Sequence, residues 1–470
     1  MDNKVSVTRE LGSPFSEIME QSKVTKFTKV KIEDGATITK PQTMPWNDAI
    51  RWMEQARDDE KKVVTVSREF NRVPWEVGVC LRRVIEDMFG FMNEGSAKKF
   101  QYIDVATSYS TKEKGILGEF SLPGIDGVII HHTQFQIDNG RFVLRSVLTA
   151  EIKKGSAEKF NMLLDALESE LKTGSIYKGK AFNDKMLFMD LTNAHPENLL
   201  FDETEMEQIK ASIWTAIQKT DQVKRAGIPI KRGVLLHGPY GCGKTQTAYC
   251  TAKIAEENGF TFILTNANNF VGAFKLATVY APAVVFVEDL DEIMSGTERT
   301  VEVNNILNTV DGVEGKDKDV LVIYTTNHIE KLNRAMLRPG RLDALVHLKP
   351  PSPETVLKFF EMYGKGMLPP VEQLTAAAKV CNGMIPAMIR EVVERSKLYA
   401  LSRGTGSITP KDVELAARQL DDHRRLLEGD VKGAGRTVRL LAEINHGQMK
   451  HLGETLVASI ADGDVETDSL

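Results

Sequence analysis

One octapeptide restricts what this chain can fold into more than any other segment. Residues 238–245 read G-P-Y-G-C-G-K-T, which fits the pattern G-x-x-x-x-G-K-[ST]. The mostly apolar residues 234–237 before it predict a short buried strand, and residues 245–257 after it predict a helix. A glycine-rich turn between strand and helix directs backbone N–H groups and the positive helix end toward an anion. The segment therefore predicts a loop that wraps the phosphates of a nucleotide.

Two side chains of this loop have the chemistry that a nucleotide and its metal ion require. Lys244 can reach the β- and γ-phosphates, and the Thr245 hydroxyl can ligate Mg²⁺. The alternative, an ordinary glycine-rich turn, is disfavoured because strand, loop, Lys-Thr pair and helix all occur in order. The residues predicted to bind nucleotide are Gly238, Pro239, Tyr240, Gly241, Cys242, Gly243, Lys244, Thr245 and Gln246.

Composition excludes several other classes of protein. With 470 residues, 42% hydrophobic and 27% charged, the chain is typical of a soluble protein of two to four domains. A net charge of −5 argues against broad binding to nucleic acid or anionic membranes. No apolar run approaches the ~18 residues that span a bilayer, and no secretory signal opens the chain. The four scattered cysteines, without C-x-x-C, favour a reducing cytoplasm over a disulfide or zinc framework.

The pattern of apolar residues divides the chain into five segments. Residues 1–43 are polar and predict a flexible arm, and 44–192 predict an α+β domain with a hairpin turn at 138–140 and no catalytic signature. Residues 193–352 alternate strands and helices, which indicates a parallel α/β sheet. Residues 353–425 are mostly helical. Residues 426–470 predict one further helix, over 436–452, and an acidic end expected to be disordered.

A second candidate site element lies about forty residues beyond the loop. The apolar strand 284–287 ends in Glu288 and Asp289. One carboxylate at a strand tip can hold Mg²⁺, and another can orient the attacking water. Because successive residues leave a strand on opposite faces, the two carboxylates cannot share one task. We assign the metal to Glu288 and the base role to Asp289. The alternative is a solvated acidic loop.

Two further motifs complete a family resemblance. Residues 325–327 read T-T-N after another buried strand, and 337–341 read L-R-P-G-R. In this order with the phosphate loop and the acidic strand tip, they resemble the AAA branch of the AAA+ ATPases over about residues 195–425. Residues 320–343 and the Glu-Asp order are most similar to the branch that contains the mitochondrial Rieske-protein translocase, although its transmembrane anchor has no counterpart here. The membrane-anchored AAA proteases fit less well because the sequence contains no H-E-x-x-H.

The resemblance implies a fold and roles for single residues. The expected fold class is α/β, a P-loop AAA+ parallel sheet of strand order 5-1-4-3-2 with a helical lid, preceded by the α+β domain. The five strands are predicted at 233–237, 260–264, 283–287, 320–324 and 345–348. Asn327 falls at the sensor position, and Arg338 and Arg341 fall where arginine fingers reach the nucleotide of the next subunit. Ala387 falls where other branches carry a lid arginine, so we assign no such residue.

The resemblance also implies an activity. We expect ATP and Mg²⁺ as ligands, ATP hydrolysis, a homo-oligomeric ring, expected to be hexameric, and a protein substrate that is remodelled, unfolded or translocated. A nucleic-acid motor or clamp-loader-like protein is a second hypothesis, which the acidic charge disfavours. A nucleotide-switched scaffold that hydrolyses little is a third, because the Asp289 carboxylate is one methylene shorter than a glutamate.

Three observations leave alternatives open. Phe270-Val271-Gly272 matches the aromatic–hydrophobic–Gly pore loop of AAA unfoldases, but an aromatic residue at a helix start is as often buried. Cys242 lies near a helix N-terminus and Lys244, which predicts a reactive thiolate, although a small packing residue fits equally well. His131 and His132 adjoin in a predicted strand and point to opposite faces, so a core or solvated role is favoured over metal binding.

Overall fold

The computed structural model describes residues 23–31, 37–45, 61–94, 99–138, 141–291, 318–332, 342–404 and 407–427, with single positions at 51, 54 and 58. The chain falls into two compact units, Met1–Ile176 and Tyr177–Leu470. The boundary lies earlier than the predicted one at 192. The reason is that Ala181–Asn183 forms a strand that pairs within the second unit.

An antiparallel pair of strands, β1 (Lys23–Lys31) and β2 (Thr37–Pro45), occurs where the sequence predicted a flexible arm. The register pairs Lys23 with Pro45 and Lys31 with Thr37. Two segments of the predicted arm over 1–43 are thus extended strands that pair with each other. In β1, lysines at every second or third position make the segment polar overall, which led to the prediction of an arm. The residues between them are rich in valine and threonine, the β-branched residues that favour extended backbone.

The first unit contains an antiparallel sheet with two helices packed on it. Strand order is β3-β8-β7-β6-β4, and β5 also pairs with β6. The hairpin predicted at 138–140 is confirmed by the register, in which Asp138 pairs with Arg141. The elements are β3 (Val63–Phe70), α1 (Pro74–Phe89), β4 (Asn93–Glu94), β5 (Phe100–Ala106), β6 (Lys112–Leu122), β7 (Ile125–Asp138), β8 (Arg141–Lys153) and α2 (Ala157–Thr173).

Helical spacing in α2 builds the core of this unit. Phe160, Leu163, Leu164, Leu167 and Leu171 are all buried, as their spacing of three and four residues predicts. They pack with apolar residues of α1 and of the sheet strands into one cluster. The helix ends before Gly174, the predicted stop.

The central sheet of the second unit is entirely parallel, with order β14-β10-β13-β12-β11-β9. All residues of β13 are buried, as expected for a parallel sheet covered on both faces. Five strands coincide with the predicted ones to within two residues at either end, and β9 is an addition. The strands are β9 (Ala181–Asn183), β10 (Arg232–His237), β11 (Thr261–Asn266), β12 (Ala283–Glu288), β13 (Val320–Thr326) and β14 (Ala344–His347).

The additional strand β9 is held at the sheet edge by aromatic packing. The ring of Tyr177 lies 5.0 Å from that of Phe182, 5.2 Å from Phe188 and 5.8 Å from Tyr280, centre to centre. The amide of Gly179 also donates to Thr261 Oγ1 of the neighbouring strand at 2.9 Å. A strand of three residues was too short for the sequence pattern to reveal.

Helices cover both faces of this sheet and then form a separate helical segment. A five-residue π-helical stretch, Lys210–Trp214, joins α3 to α4. The last four helices enclose a core of their own, in agreement with the helical character predicted for 353–425. The helices are α3 (Glu203–Ile209), α4 (Thr215–Gln218), α5 (Thr220–Arg225), α6 (Lys244–Glu257), α7 (Phe270–Val279), α8 (Pro353–Gly364), α9 (Thr375–Val380), α10 (Pro386–Ser402) and α11 (Pro410–Leu427).

Several predicted features lie outside the described residues. These are Arg338, Arg341, the helix predicted over 436–452 and the acidic end. Among the described helices, none combines the length and apolar character needed to cross a bilayer.

Candidate functional site

The predicted phosphate loop connects the end of β10 to the start of α6. Gly241 has φ +75° and Gly243 has φ +105°, backbone conformations that residues other than glycine rarely adopt. A Cβ atom on Gly238 would lie 2.4 Å from the carbonyl oxygen of Leu348, the residue after β14, so this close approach requires glycine at 238. The loop therefore has the curled backbone that the octapeptide predicted.

Lys244, the first residue of α6, turns its ammonium group into this loop. Its Nζ donates to the carbonyl oxygens of Gly238 at 2.7 Å and Pro239 at 3.0 Å, and to Asn327 Oδ1 at 2.6 Å. The side chain is 9% exposed. Three donors thus have three acceptors at the floor of the loop. Phosphate oxygens entering the loop would compete for the same donors.

Thr245 and Glu288 bring two oxygen ligands together. Thr245 Oγ1 donates to Glu288 Oε1 at 2.8 Å, which joins the start of α6 to the end of β12. Hydroxyl and carboxylate oxygens are hard donors that suit Mg²⁺, which coordinates oxygen at roughly 2.0–2.1 Å. The chemistry of this pair fits the metal role predicted for both residues.

Asp289 occupies an uncommon backbone conformation directly after β12. Its φ is +49°, in the left-handed region that aspartate and asparagine tolerate better than longer residues. Its amide donates to Thr325 Oγ1 at 3.1 Å, and its Oδ1 accepts from Asn327 Nδ2 at 2.9 Å. The conformation gives a physical reason for aspartate, rather than a longer residue, at this position.

Asn327 connects the loop to the acidic strand tip. Its amide oxygen accepts from Lys244, and its amide nitrogen donates to Asp289. Asp291, which is buried, fixes the backbone here: its Oδ1 accepts from Thr326 Oγ1 at 2.7 Å and from the Asn327 N–H at 3.1 Å. Burial raises the pKa of Asp291, but these hydrogen bonds outweigh it and hold the pKa below its usual value. Sequence reasoning did not foresee this supporting role.

Two other predicted residues lie at the rim of the loop. Tyr240 is 65% exposed; its ring lies 5.9 Å from Lys244 Nζ and 6.3 Å from the His328 ring. Gln246 points along its helix, with Nε2 at 4.0 Å from Cys250 Sγ.

Cys242 does not have the environment that a reactive thiolate requires. Its side chain is buried in the core cluster of the second unit. Burial raises the pKa of the thiol, and the opposing effect of Lys244 is smaller. The structure therefore favours the packing interpretation of Cys242 over the reactive thiolate, because the effect of burial on the thiol outweighs that of the nearby positive charge.

A cavity of about 760 Å³ joins the loop to an apolar wall that the sequence did not reveal. One side of this wall precedes α3, and the other belongs to α8. Apolar walls with a few polar groups are typical of sites for a flat organic ring. The sequence pattern does not reveal the wall, because its two sides come from segments that are distant in the sequence. The wall residues are Leu199, Leu200, Phe201, Phe359, Met362 and Tyr363.

The start of α10 touches the phosphate loop. A Cβ on Gly241 would lie 2.9 Å from Ile385 Cδ1 and 3.1 Å from Ala387 Cβ. Pro386, between them, is the first residue of the helix, where its missing N–H costs nothing. Ala387, at the position where other branches carry a lid arginine, thus lies against the phosphate loop.

Phe270 is not available to grip a polypeptide. It is fully buried, with the rings of Phe274 and Tyr324 each at 5.8 Å. The structure therefore contradicts the pore-loop interpretation and agrees with the core interpretation.

The fold and the arrangement around Lys244 define a P-loop nucleotide-binding domain. Residues 234–350 match the family described as ATPase family associated with various cellular activities (AAA). This part of the chain is accordingly an AAA domain.

Comparison with curated proteins finds relatives of this domain. The chain is 29% identical over 241 residues to the 26S proteasome regulatory subunit 8 homolog of Schizosaccharomyces pombe, covering 46% of this chain and 59% of that protein. It is 28% identical over 230 residues to the proteasome-activating nucleotidase of Methanococcus vannielii, covering 45% and 56%. It is 27% identical over 288 residues to the ATP-dependent zinc metalloprotease FtsH 2 of Symbiobacterium thermophilum, covering 56% and 47%. The chain thus spans about half the length of these relatives.

Proposed function

We propose that this chain binds ATP with Mg²⁺ and hydrolyses it. One observation carries the proposal: Lys244, Asn327 and Asp289 form a hydrogen-bonded series at one end of a cavity whose other end has apolar walls. A triphosphate needs a cation and backbone donors, and an adenine ring needs an apolar slot. The cavity supplies both.

The residues divide the chemistry between them. Lys244 and the loop amides would bind the β- and γ-phosphates, and Thr245 and Glu288 would hold Mg²⁺, which neutralises charge on the phosphates. Asp289 would accept a proton from the attacking water, and Asn327, released by Lys244, would orient groups at the γ-phosphate. Arg338 and Arg341 would act from the neighbouring subunit, stabilising charge as it develops.

We propose further that the protein works as a cytoplasmic homo-oligomeric ring, in the simplest case a hexamer, that remodels, unfolds or translocates a protein. The similarity to a proteasome-activating nucleotidase and a proteasome regulatory subunit supports this work class. The first unit would contact the substrate or an adaptor. The Glu288–Asp289 order and residues 320–343 support placement in the Rieske-translocase-like branch.

The test is steady-state phosphate release by the full chain with ATP and Mg²⁺, alone and with unfolded protein or DNA added. We expect hydrolysis that a polypeptide stimulates and DNA does not. Stimulation by DNA alone would favour the nucleic-acid motor. ATP binding with no turnover under any condition would favour the nucleotide-switched scaffold.

Mixing two inactive variants tests the ring and the fingers together. Arg338→Ala protein keeps an intact loop, and Lys244→Ala protein keeps intact fingers. If the fingers act between subunits, mixed rings should recover part of the hydrolysis. Co-assembly without recovery at any ratio would remove the support for action between subunits.

A further inference from the structure

The antiparallel sheet of the first unit ends in β3, a strand that has a partner on one side. All eight residues of β3 pair in register with β8, without a bulge. Within the described part of the chain, no strand pairs with the other side of β3. Proline and lysine commonly protect such an edge from other chains, and neither occurs between Val63 and Phe70.

The hydrogen bonds to β8 show which backbone groups of β3 face the open side. The Lys154 N–H donates to the Lys62 carbonyl oxygen at 2.8 Å, so these two residues, opposite each other in register, form a hydrogen-bonded pair. Such pairs alternate along an antiparallel ladder, so the even-numbered residues of β3 direct their N–H and C=O groups to β8. The N–H and C=O groups of residues 63, 65, 67 and 69 therefore point to the open side.

The side chains of β3 divide in the same way between the core and the solvent. Val64 and Val66 pack against the core cluster, and Arg68 donates to Asp165 of α2 at 2.7 Å. The odd-numbered residues are exposed, and Val63 is 71% exposed. A strand added at the open side would therefore lie beside exposed side chains and would leave the core undisturbed.

Charge near the ends of β3 favours one kind of occupant. Four exposed lysines surround its first residue: Lys61, Lys62, Lys153 and Lys154. Two of them have exposed aspartate partners, which leaves an excess of positive charge at this end. Two copies of β3 that paired antiparallel along their whole length would place Lys61 of one copy near Arg72 of the other, and like charges repel. A segment that carries carboxylates would instead be attracted.

We propose that the open side of β3 binds an extended segment of a polypeptide substrate as an added strand, with carboxylates of that segment near Lys61 and Lys62. Another extended backbone has donors and acceptors at the spacing that residues 63–69 offer, so the partner is recognised by its backbone rather than by a fixed sequence. The inference rests on the proposed function, in which the first unit contacts the substrate, and it names the strand that makes this contact.

The experiment measures how tightly the full chain binds labelled lactalbumin that has been reduced and carboxymethylated, an acidic chain that cannot refold. Fluorescence anisotropy without nucleotide separates binding from hydrolysis. Ser67→Pro removes an N–H on the open side and no bond to β8. We expect the dissociation constant to rise about tenfold, since one backbone hydrogen bond to the probe is lost.

Ser67→Ala is the matched control for this substitution. It loses the hydroxyl that lies 3.0 Å from Thr149 Oγ1 but keeps the backbone N–H, so it should bind the probe as the wild type does. Equal affinities of Ser67→Pro and Ser67→Ala for the probe would overturn the proposal.

Hydrogen exchange of the wild-type chain tests the open side without any substitution. The amides of Thr65 and Ser67 should exchange rapidly in the free protein and slowly once the probe is bound, whereas those of Val64 and Val66 should be slow in both states. Slow exchange of Thr65 and Ser67 without the probe would overturn the proposal. A dependence on protein concentration would then indicate a second copy at this edge, and no dependence would indicate another segment of this chain.

Failure of the underlying function gives a different result. If the probe binds through β3 and never stimulates phosphate release, the remodelling function fails and the inference stands. If a sub-saturating probe stimulates phosphate release equally in wild type and Ser67→Pro, the function stands and the inference fails. Thermal melting checks that both variants are folded. If Ser67→Pro does not fold, the exchange experiment decides alone.

Discussion

His131 in the first unit and Lys244 in the second are both buried polar side chains, yet their hydrogen bonds differ in kind. His131 is 1% exposed; Nδ1 lies 2.7 Å from the Ile116 carbonyl oxygen and Nε2 lies 2.7 Å from Ser146 Oγ. Both partners sit on strands that flank its own. Lys244 instead lines the nucleotide cavity together with Asn327, one of its three partners.

The difference separates a structural polar group from a binding one. The bonds of His131 are enclosed, and burial lowers its pKa to about 4, so the ring stays neutral and serves the sheet. The bonds of Lys244 can be exchanged for bonds to a ligand without opening the core. Burial alone therefore does not identify a functional residue; what matters is whether its partners can be replaced.

The largest effect that would test this comparison is expected from Lys244→Ala. We expect ATP affinity to fall by at least ~100-fold, because no other described cation lies on the floor of the loop. Thermal stability should change little, since the acceptors left behind can reach water in the cavity. Lys253→Ala, on the same helix but outside the lining of the cavity, should bind ATP normally. Equilibrium titration with a fluorescent ATP analogue measures both, and near-native affinity in Lys244→Ala would falsify the assignment.

A second large effect is expected at Asp289. Asp289→Asn keeps the left-handed backbone but cannot accept a proton, so it should bind ATP and hydrolyse it roughly 10²–10⁴-fold more slowly. Glu288→Gln should instead raise the Mg²⁺ concentration needed for half-maximal binding. Phosphate release at several Mg²⁺ concentrations distinguishes them. Full activity in Asp289→Asn would move the base role elsewhere.

The pH dependence of the first unit offers a smaller test. The pKa of His131 is lowered in the folded state from 6.5 to about 4, so its neutral form stabilises the fold at pH above about 6.5, and this stability is lost as pH falls toward 4. The loss amounts to at most ~3 kcal/mol. Hydrogen exchange of β7 and β8 amides should show it. His132→Gln should retain this pH dependence of stability. His131→Phe should remove the contribution that protonation of His131 makes to it.

The smallest effect concerns the thiols. All four cysteines are buried, and burial raises the pKa of Cys80 to about 12, of Cys250 to about 11 and of Cys381 to about 12. A maleimide at pH 7 should label fewer than one thiol per native chain within minutes and all four in denaturant. Rapid labelling of Cys242 that ATP prevents would instead support the thiolate hypothesis.

Local patterns predicted the parts of the site that lie close together in sequence. The loop 238–245 and the carboxylates after β12 could be identified because the residue types that bind phosphate or metal occur there within a few consecutive positions. The apolar wall could not, since Leu199 and Tyr363 meet only after the sheet and lid have packed. The left-handed backbone of Asp289 accompanies the hydrogen bond from its amide to Thr325 of β13. Residues next to Asp289 in the sequence could not predict this contact.

The strand β9 has a practical consequence for how the AAA domain can be isolated. It covers the edge of β11 with three residues and a tight aromatic cluster. A protein cut at the predicted boundary, beginning at 193, would leave the backbone groups of Phe262–Leu264 that face β9 unpaired, although the other side of β11 would stay paired with β12. Such open edges recruit other chains. We expect that protein to aggregate during light-scattering measurements, and one that begins at 177 to remain dispersed.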